Sequence, residues 1–293
     1  MIDVNARTRP PSQQFGGGSS EVHGVAESQK IQDPEVRSIA FSDIVEALAQ
    51  GLRDFQAAPR FGLAVAAVYT FGGIGLVLSL WVLKLTYLAY PLAAGFAILG
   101  PFVAVGLYQV SRDLEAGTPL SFGRLWSIVS NRREVSWMAF VVGFFFVIWM
   151  YQVRLLLALF LGHAGSFATL PEFIHVVLTT TEGLIFLIVG NAIGAALSLI
   201  FFSITVVSFP LVLDRDVDFV TAMITSVRAV AKNPVPMVLW AAIVVALLVI
   251  STLPLFLGLL VTLPILGHTT WHLYRKLVVP LSPEREVSPP TVQ

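Results

Sequence analysis

Two histidines near the C-terminus, His268 and His272, have the spacing of side chains that share one face of a helix. Imidazoles placed that way can ligate one metal ion or an axial haem position. Two ligands are too few without a third. The alternative role is interfacial hydrogen bonding beside Trp271 and Tyr274, aromatic residues suited to the headgroup level. Arg154 is the next candidate, because it lies inside an otherwise apolar stretch. A charge in such a stretch is costly and usually faces a cavity or a partner. Gln152 stands nearby, Glu182 at the head of the next apolar stretch is the expected counter-ion, and Asn191 could add a hydrogen bond. An Arg154–Glu182 clamp or outward snorkelling is the structural reading; a substrate or lipid-phosphate contact is the functional one. Asp214, Asp216 and Asp218 alternate like calcium-loop ligands, but Phe219 and Thr225 occupy the positions that need glycine and an acid. Capping of a following helix by Asp218 explains more.

Other chemistry is thinly represented. No P-loop, HExxH, GxSxG or dinucleotide fingerprint occurs. Cysteine is absent, which removes disulfides, thiolate catalysis and Cys-ligated metals together. The expectation is a non-enzymatic protein with no resident cofactor. Formal net charge is zero, so nucleic acid is not the expected partner.

The elements that must position these residues are membrane helices. Of 293 residues, 56% are hydrophobic and 12% charged, about half the charge of a soluble domain. Apolar stretches of membrane length place spans at about 61–83, 87–110, 137–161, 183–213, 237–253 and 254–274. The fourth is long, so it should tilt, bend before Pro210 or protrude. Residues 1–36 and 280–293 read as disordered tails around a membrane domain of 37–279, and residues 1–36 show no apolar core of a signal peptide. A loop is expected from Gly162 to Glu182.

Ahead of the first span, Ser42–Ala58 alternates at helical period. Ile44, Val45, Leu48, Leu52 and Phe55 lie on one face and Glu46, Gln50, Arg53 and Asp54 on the other. Asp43 and Glu46 read as its capping box, and Pro59 stops it. Such a helix belongs in the membrane interface. The pattern recurs: Asp43, Ala47, Arg53 and Pro59 match Asp218, Ala222, Arg228 and Pro234 at a constant offset of 175. Farther on, Pro91-Leu92-x-x-Gly95-x5-Pro101 returns as Pro254-Leu255-x-x-Gly258-x5-Pro264. Pro91, Pro101, Pro254 and Pro264 are the expected kinks. The expected fold is an all-α membrane protein. It has six transmembrane helices in three hairpins, each preceded by a cytoplasmic interfacial helix, with an internal repeat between the first and last. Lys and Arg concentrate before Arg60, in 111–136, in 214–236 and after Tyr274, which places both termini in the cytoplasm.

With Ala58-Pro59-Arg60-Phe61-Gly62-Leu63, Leu99-Gly100-Pro101, Ser208-Phe209-Pro210-Leu211-Val212-Leu213-Asp214-Arg215-Asp216-Val217 and Gly267-His268-x-x-Trp271-His272-Leu273-Tyr274-Arg275 in view, the chain resembles a family. It is similar to the proteobacterial predicted integral membrane proteins grouped as a domain of unknown function, over about residues 36–279. The resemblance implies a six-span protein of the bacterial cytoplasmic (inner) membrane and supplies no activity. Some members carry a name mentioning cytochrome c oxidase subunit I. This sequence gives that name no support, since only four histidines lie outside the N-terminal tail and a haem-copper core needs more ligands and more spans. The expected function is a scaffold or accessory subunit that contacts the bilayer and binds another membrane protein or an anionic lipid. The alternative is a small-solute transporter or channel lined by the Pro-kinked helices and Arg154.

Overall fold

Hydrocarbon offers the backbone no hydrogen-bond partners, so a chain this apolar must satisfy its own amides and carbonyls within helices. A computed structural model describes residues 34–83, 100–131, 133–162 and 170–280. Eleven helices occur among these residues. The first four are α1 (Phe41–Ala57), α2 (Pro59–Val82), α3 (Gly100–Glu115) and α4 (Phe122–Asn131). Next come α5 (Arg133–Leu161), α6 (Leu170–Thr179), α7 (Thr181–Thr205) and α8 (Ser208–Asp214). The last three are α9 (Phe219–Lys232), α10 (Pro234–Thr252) and α11 (Leu259–Leu277). Among the described residues, four stretches are long and apolar enough to cross a membrane: Pro59–Ser79, Arg133–Leu161, Thr181–Asp214 and Pro234–Thr252.

Local signals explain most boundaries. α1 starts at Phe41 rather than at the expected box, because Asp43 sits in the first turn and its carboxylate accepts the Ala40 N–H at 2.8 Å. Asp218 caps α9 as expected, accepting from the amides of Val220 (3.0 Å) and Thr221 (2.9 Å). The residues before the two matched prolines adopt nearly the same backbone, Ala58 at φ −133°, ψ 51° and Asn233 at φ −126°, ψ 53°. Each lies outside the α-helical region, as the proline ring that follows demands. The long fourth apolar stretch does break before Pro210: α7 ends at Thr205, and the amide of Val207 turns to the Ser226 hydroxyl at 3.0 Å. α6 occupies part of the segment expected to be a loop, where Val176, Val177 and their neighbours fold back on α7.

The expected kinks fall in different settings. Pro264 lies inside α11 and Pro101 is the second residue of α3. Pro254 lies in no helix; it opens a turn in which Leu255 (φ 52°) and Phe256 (φ 66°) are left-handed, so α11 begins only at Leu259. Pro91, the first half of the expected second span and both tails beyond residues 34 and 280 lie outside the described residues. Residues 34–36, assigned to the tail by composition, are not loose. Val36 pairs with Val278 in a single antiparallel bridge, the Arg37 amide donates to the Leu277 carbonyl at 2.7 Å, and the Val279 amide to Glu35 at 3.0 Å.

The largest buried cluster draws on α1, α3, α5 and α8 to α11. α1 lies along α11, and α3, α8 and α9 close around them, burying Phe209, Leu211, Trp240, Trp271 and Tyr274 to 1% exposure or less. α5 and α7 pack on each other, yet only 6% of each apolar window is buried inside the chain, against 33% for α2.

Candidate functional site

At that core the polar groups converge. α1 and α11 approach closely because Gly51 has no side chain: a Cβ there would stand 2.6 Å from the Thr269 nitrogen. α3 approaches α11 in the same way through Gly267, against Leu107. The close approach brings polar side chains from α1 and α3 to the two histidines of α11.

His268 is fully buried, with Nδ1 2.7 Å from the Ser111 hydroxyl on α3. His272, one turn on, places Nε2 2.7 Å from the Asp54 carboxylate on α1 and Nδ1 4.0 Å from Glu115 at the end of α3. Glu115 in turn meets Arg275 at 3.4 Å. Asp214, the last residue of α8, is the second node. It accepts from the Tyr274 hydroxyl at 2.6 Å and lies 3.4 Å from Arg275 and 3.6 Å from Arg112. Lys276 reaches Glu46 at 2.7 Å and Asp43 at 3.4 Å. Burial pushes the Asp54 carboxyl up, but hydrogen bonding by His272 and Ser111 and the fields of the two histidines outweigh it. Asp54 is thereby held below its ordinary value of 3.8. An open pocket of about 350 Å³ runs beside this knot, lined by Gln50, Arg53, Asp54, Glu115, His272, Arg275 and Lys276.

The helical spacing of His268 and His272 therefore serves two separate bonds, one to each neighbouring helix. Among the described residues no three His, Asp or Glu side chains are grouped to hold a metal. Serine, histidine and aspartate do meet here, but not as a nucleophilic triad. Ser111 is fully buried, the second nitrogen of His268 has no partner among the described residues, and Asp54 bonds the other histidine. A hydrolytic triad instead needs one imidazole between the hydroxyl and the carboxylate.

The Arg154 group is not brought together. α5 faces α7 through Phe145, Trp149 and Leu156, which meet Phe201, Gly194 and Gly190. At 3.6 residues per turn Arg154 points roughly 140–160° away from Trp149 and Leu156, toward the exposed face, while Glu182 and Asn191 belong to α7. No ion pair joins Arg154 to Glu182 among the described residues, and the Asn191 amide donates to the Leu187 carbonyl at 2.7 Å. Gln152 is half-buried with its amide oxygen unpartnered. None of these four lines the pocket. Of the aspartates, Asp214 belongs to the knot, Asp216 is exposed and Asp218 is the α9 cap.

Sequence reasoning passed over Asp54, Ser111, Glu115 and Asp214 as members of one site. Asp54 was visible only as a polar-face residue, and its partner is 218 positions away.

α3 and α8, which supply Ser111, Glu115 and Asp214 to the knot, fall within one segment that matches a family. Residues 89–214 match the family described as predicted integral membrane protein (DUF2189). This is the type of family that the motifs resemble, and the chain is a membrane protein with several apolar helices. No curated protein and no solved structure matches the chain.

Proposed function

We propose that this DUF2189-like protein is a non-enzymatic scaffold or accessory subunit of a bacterial inner membrane, holding a membrane partner or lipid. One observation supports the reading above others. The groups with chemical potential are spent tying remote segments together, while among the described residues only 6% of each α5 and α7 apolar window is buried. Rigid core and open spans suit a part that presents helices to others. Membrane helices associate through such faces by close packing and interhelical hydrogen bonds, and the Gln152 amide oxygen on α5, without a partner among the described residues, is the kind of group that gains from one. The basic segments flank the knot, so the knot and both termini lie on the cytoplasmic side, with six apolar segments arranged as three hairpins and the first and last related as repeats.

Native mass spectrometry of the full chain, gently extracted from its own membrane, tests this. A stoichiometric protein or lipid companion is the expected result. A bare monomer would overturn the scaffold reading.

A further inference from the structure

The tip of the α10–α11 hairpin is made of Leu253, Pro254, Leu255, Phe256 and Leu257. Leu253 and Leu255 are among the most exposed large side chains of the protein, at 76% and 75%. A turn that met water on the far side of a membrane would be expected to carry polar residues; this one carries none. Most of its amides are bonded within the turn, those of Leu255 and Gly258 excepted. The amides of Leu253, Phe256 and Leu257 bond the carbonyls of Ile250, Thr252 and Pro254, and those of Leu259 and Leu260 bond Phe256 and Leu257. Pro254 has no amide to satisfy. The flanking hydroxyls are also engaged, Ser251 with Thr262 and Thr252 with the Val249 carbonyl. Internal satisfaction of this kind is what hydrocarbon demands of a non-helical turn.

Contacts along α2 set the height of the tip. Phe61 clusters with Val110, and Val65 faces Gly106, so α2 runs antiparallel to α3. α3 runs parallel to α11, with Leu107 against Gly267, Ser111 on His268 and Glu115 beside Arg275. α2 is therefore antiparallel to α11, and Gly62 stands opposite Pro264, where a Cβ would come within 3.0 Å. Following α11 back from Pro264 to Leu255 corresponds to moving along α2 to the neighbourhood of Phe71. α2 continues to Val82, which is on the order of 10–16 Å farther at 1.5 Å per residue. If α2 crosses the bilayer, the hairpin tip stops inside it.

We infer that α10 and α11 form a re-entrant hairpin, whose Leu253–Leu257 tip inserts among the acyl chains of the leaflet opposite the polar knot. Both ends of the hairpin then lie on the same side. The parity of the topology is preserved, with the last two apolar segments entering and leaving without emerging. The occupant of the exposed tip is lipid hydrocarbon.

The absence of cysteine makes a direct test available. Single variants Leu255→Cys and Leu83→Cys of the full chain, the second at the far end of α2, are reconstituted into phospholipid vesicles. A membrane-impermeant maleimide is supplied to both sides. Leu255→Cys should label at least tenfold more slowly than Leu83→Cys and reach the same extent once detergent is added, which shows that the thiol is present and reactive. A nitroxide at the same site should collide more with oxygen than with a water-soluble nickel complex. Labelling of Leu255→Cys at a rate comparable to Leu83→Cys, or preferential collision with nickel, overturns the inference. Leu257→Cys repeats the measurement at a second tip position.

Discussion

Replacing Gly51 with alanine should destabilise the protein, although the same change on a free helix would do the opposite. Alanine improves helix propensity by about 1 kcal/mol. At Gly51 the new methyl would lie 2.3 Å from the Thr269 hydroxyl, 2.6 Å from its nitrogen and 2.9 Å from its Cα. Two of those atoms are backbone and cannot rotate aside, so α1 and α11 must separate by about 1 Å to restore ordinary contact. Overpacking of this kind costs roughly 1–3 kcal/mol. The same separation stretches the His272–Asp54 contact from 2.7 Å to beyond the range of a good hydrogen bond, losing a further 1.5–3 kcal/mol or so. One movement causes both losses, so they overlap; after the propensity gain the net is about 2–4 kcal/mol. Gly75→Ala is the control, because nothing lies within 4 Å of its Cβ position; it should be neutral or stabilising by up to about 1 kcal/mol. Thermal unfolding in detergent compares the two, and hydrogen exchange of the α1 amides locates the damage. A Gly51→Ala protein as stable as the parent, or a shift of the same sign in both variants, would refute the close-packed α1–α11 seam.

Tyr274→Phe removes a 2.6 Å bond to a carboxylate and should cost about 1.5–3 kcal/mol in chemical denaturation; an unchanged midpoint would mean that Arg112 and Arg275 hold Asp214 unaided. Asp218→Ala should cost about 0.5–2 kcal/mol through the lost α9 cap, with the first-turn amides of that helix exchanging faster. Asp54 has a folded-state value below its ordinary 3.8, so its contribution is complete above about pH 4 and is lost as pH falls through the lower folded value. Asp54→Asn should accordingly flatten the acid limb of a stability profile from pH 6 to 2, and parallel profiles would contradict the assignment. Lys276 shows the opposite sign: hydrogen bonding to Glu46 raises it above 10.5, so its support is present below that pH and fades as pH climbs through the folded value. Glu46 is exposed and Lys276 half-buried, so Lys276→Met should cost about 1 kcal/mol or less and the difference should shrink in high salt.

The helical membrane character was readable because composition and hydropathy depend on neighbours in the chain. So were the Pro59 and Pro234 stops, the Asp218 cap and the break before Pro210, each set by one residue's own covalent geometry or its reach to adjacent amides. Two other readings met physical limits. The expected sixth span begins at Pro254 because hydropathy cannot separate a turn built of leucines from a helix built of them; only the positive φ of Leu255 and Phe256 reveals the difference. For Arg154 the expectation left a clamp to Glu182 and outward snorkelling both open; no such ion pair occurs among the described residues, and the face turned to α7 is chosen by Phe145, Trp149 and Leu156. The knot itself was least legible. His268 and His272 were conspicuous, but their bonds run to Ser111 and Asp54 across 157 and 218 residues, and no local pattern encodes such pairings.

The bridge between Val36 and Val278 has a topological consequence. With Arg37 bonded to Leu277 and Val279 to Glu35, the two ends of the helical body meet, and the backbone becomes a ring fastened at one noncovalent seam. A ring has no privileged starting point. Joining the seam with a short peptide and reopening the chain beside Gly162 should leave the same set of helices in the same order around the circle. Reporter fragments fused outside the seam would emerge side by side, near enough to reassemble without any helix moving.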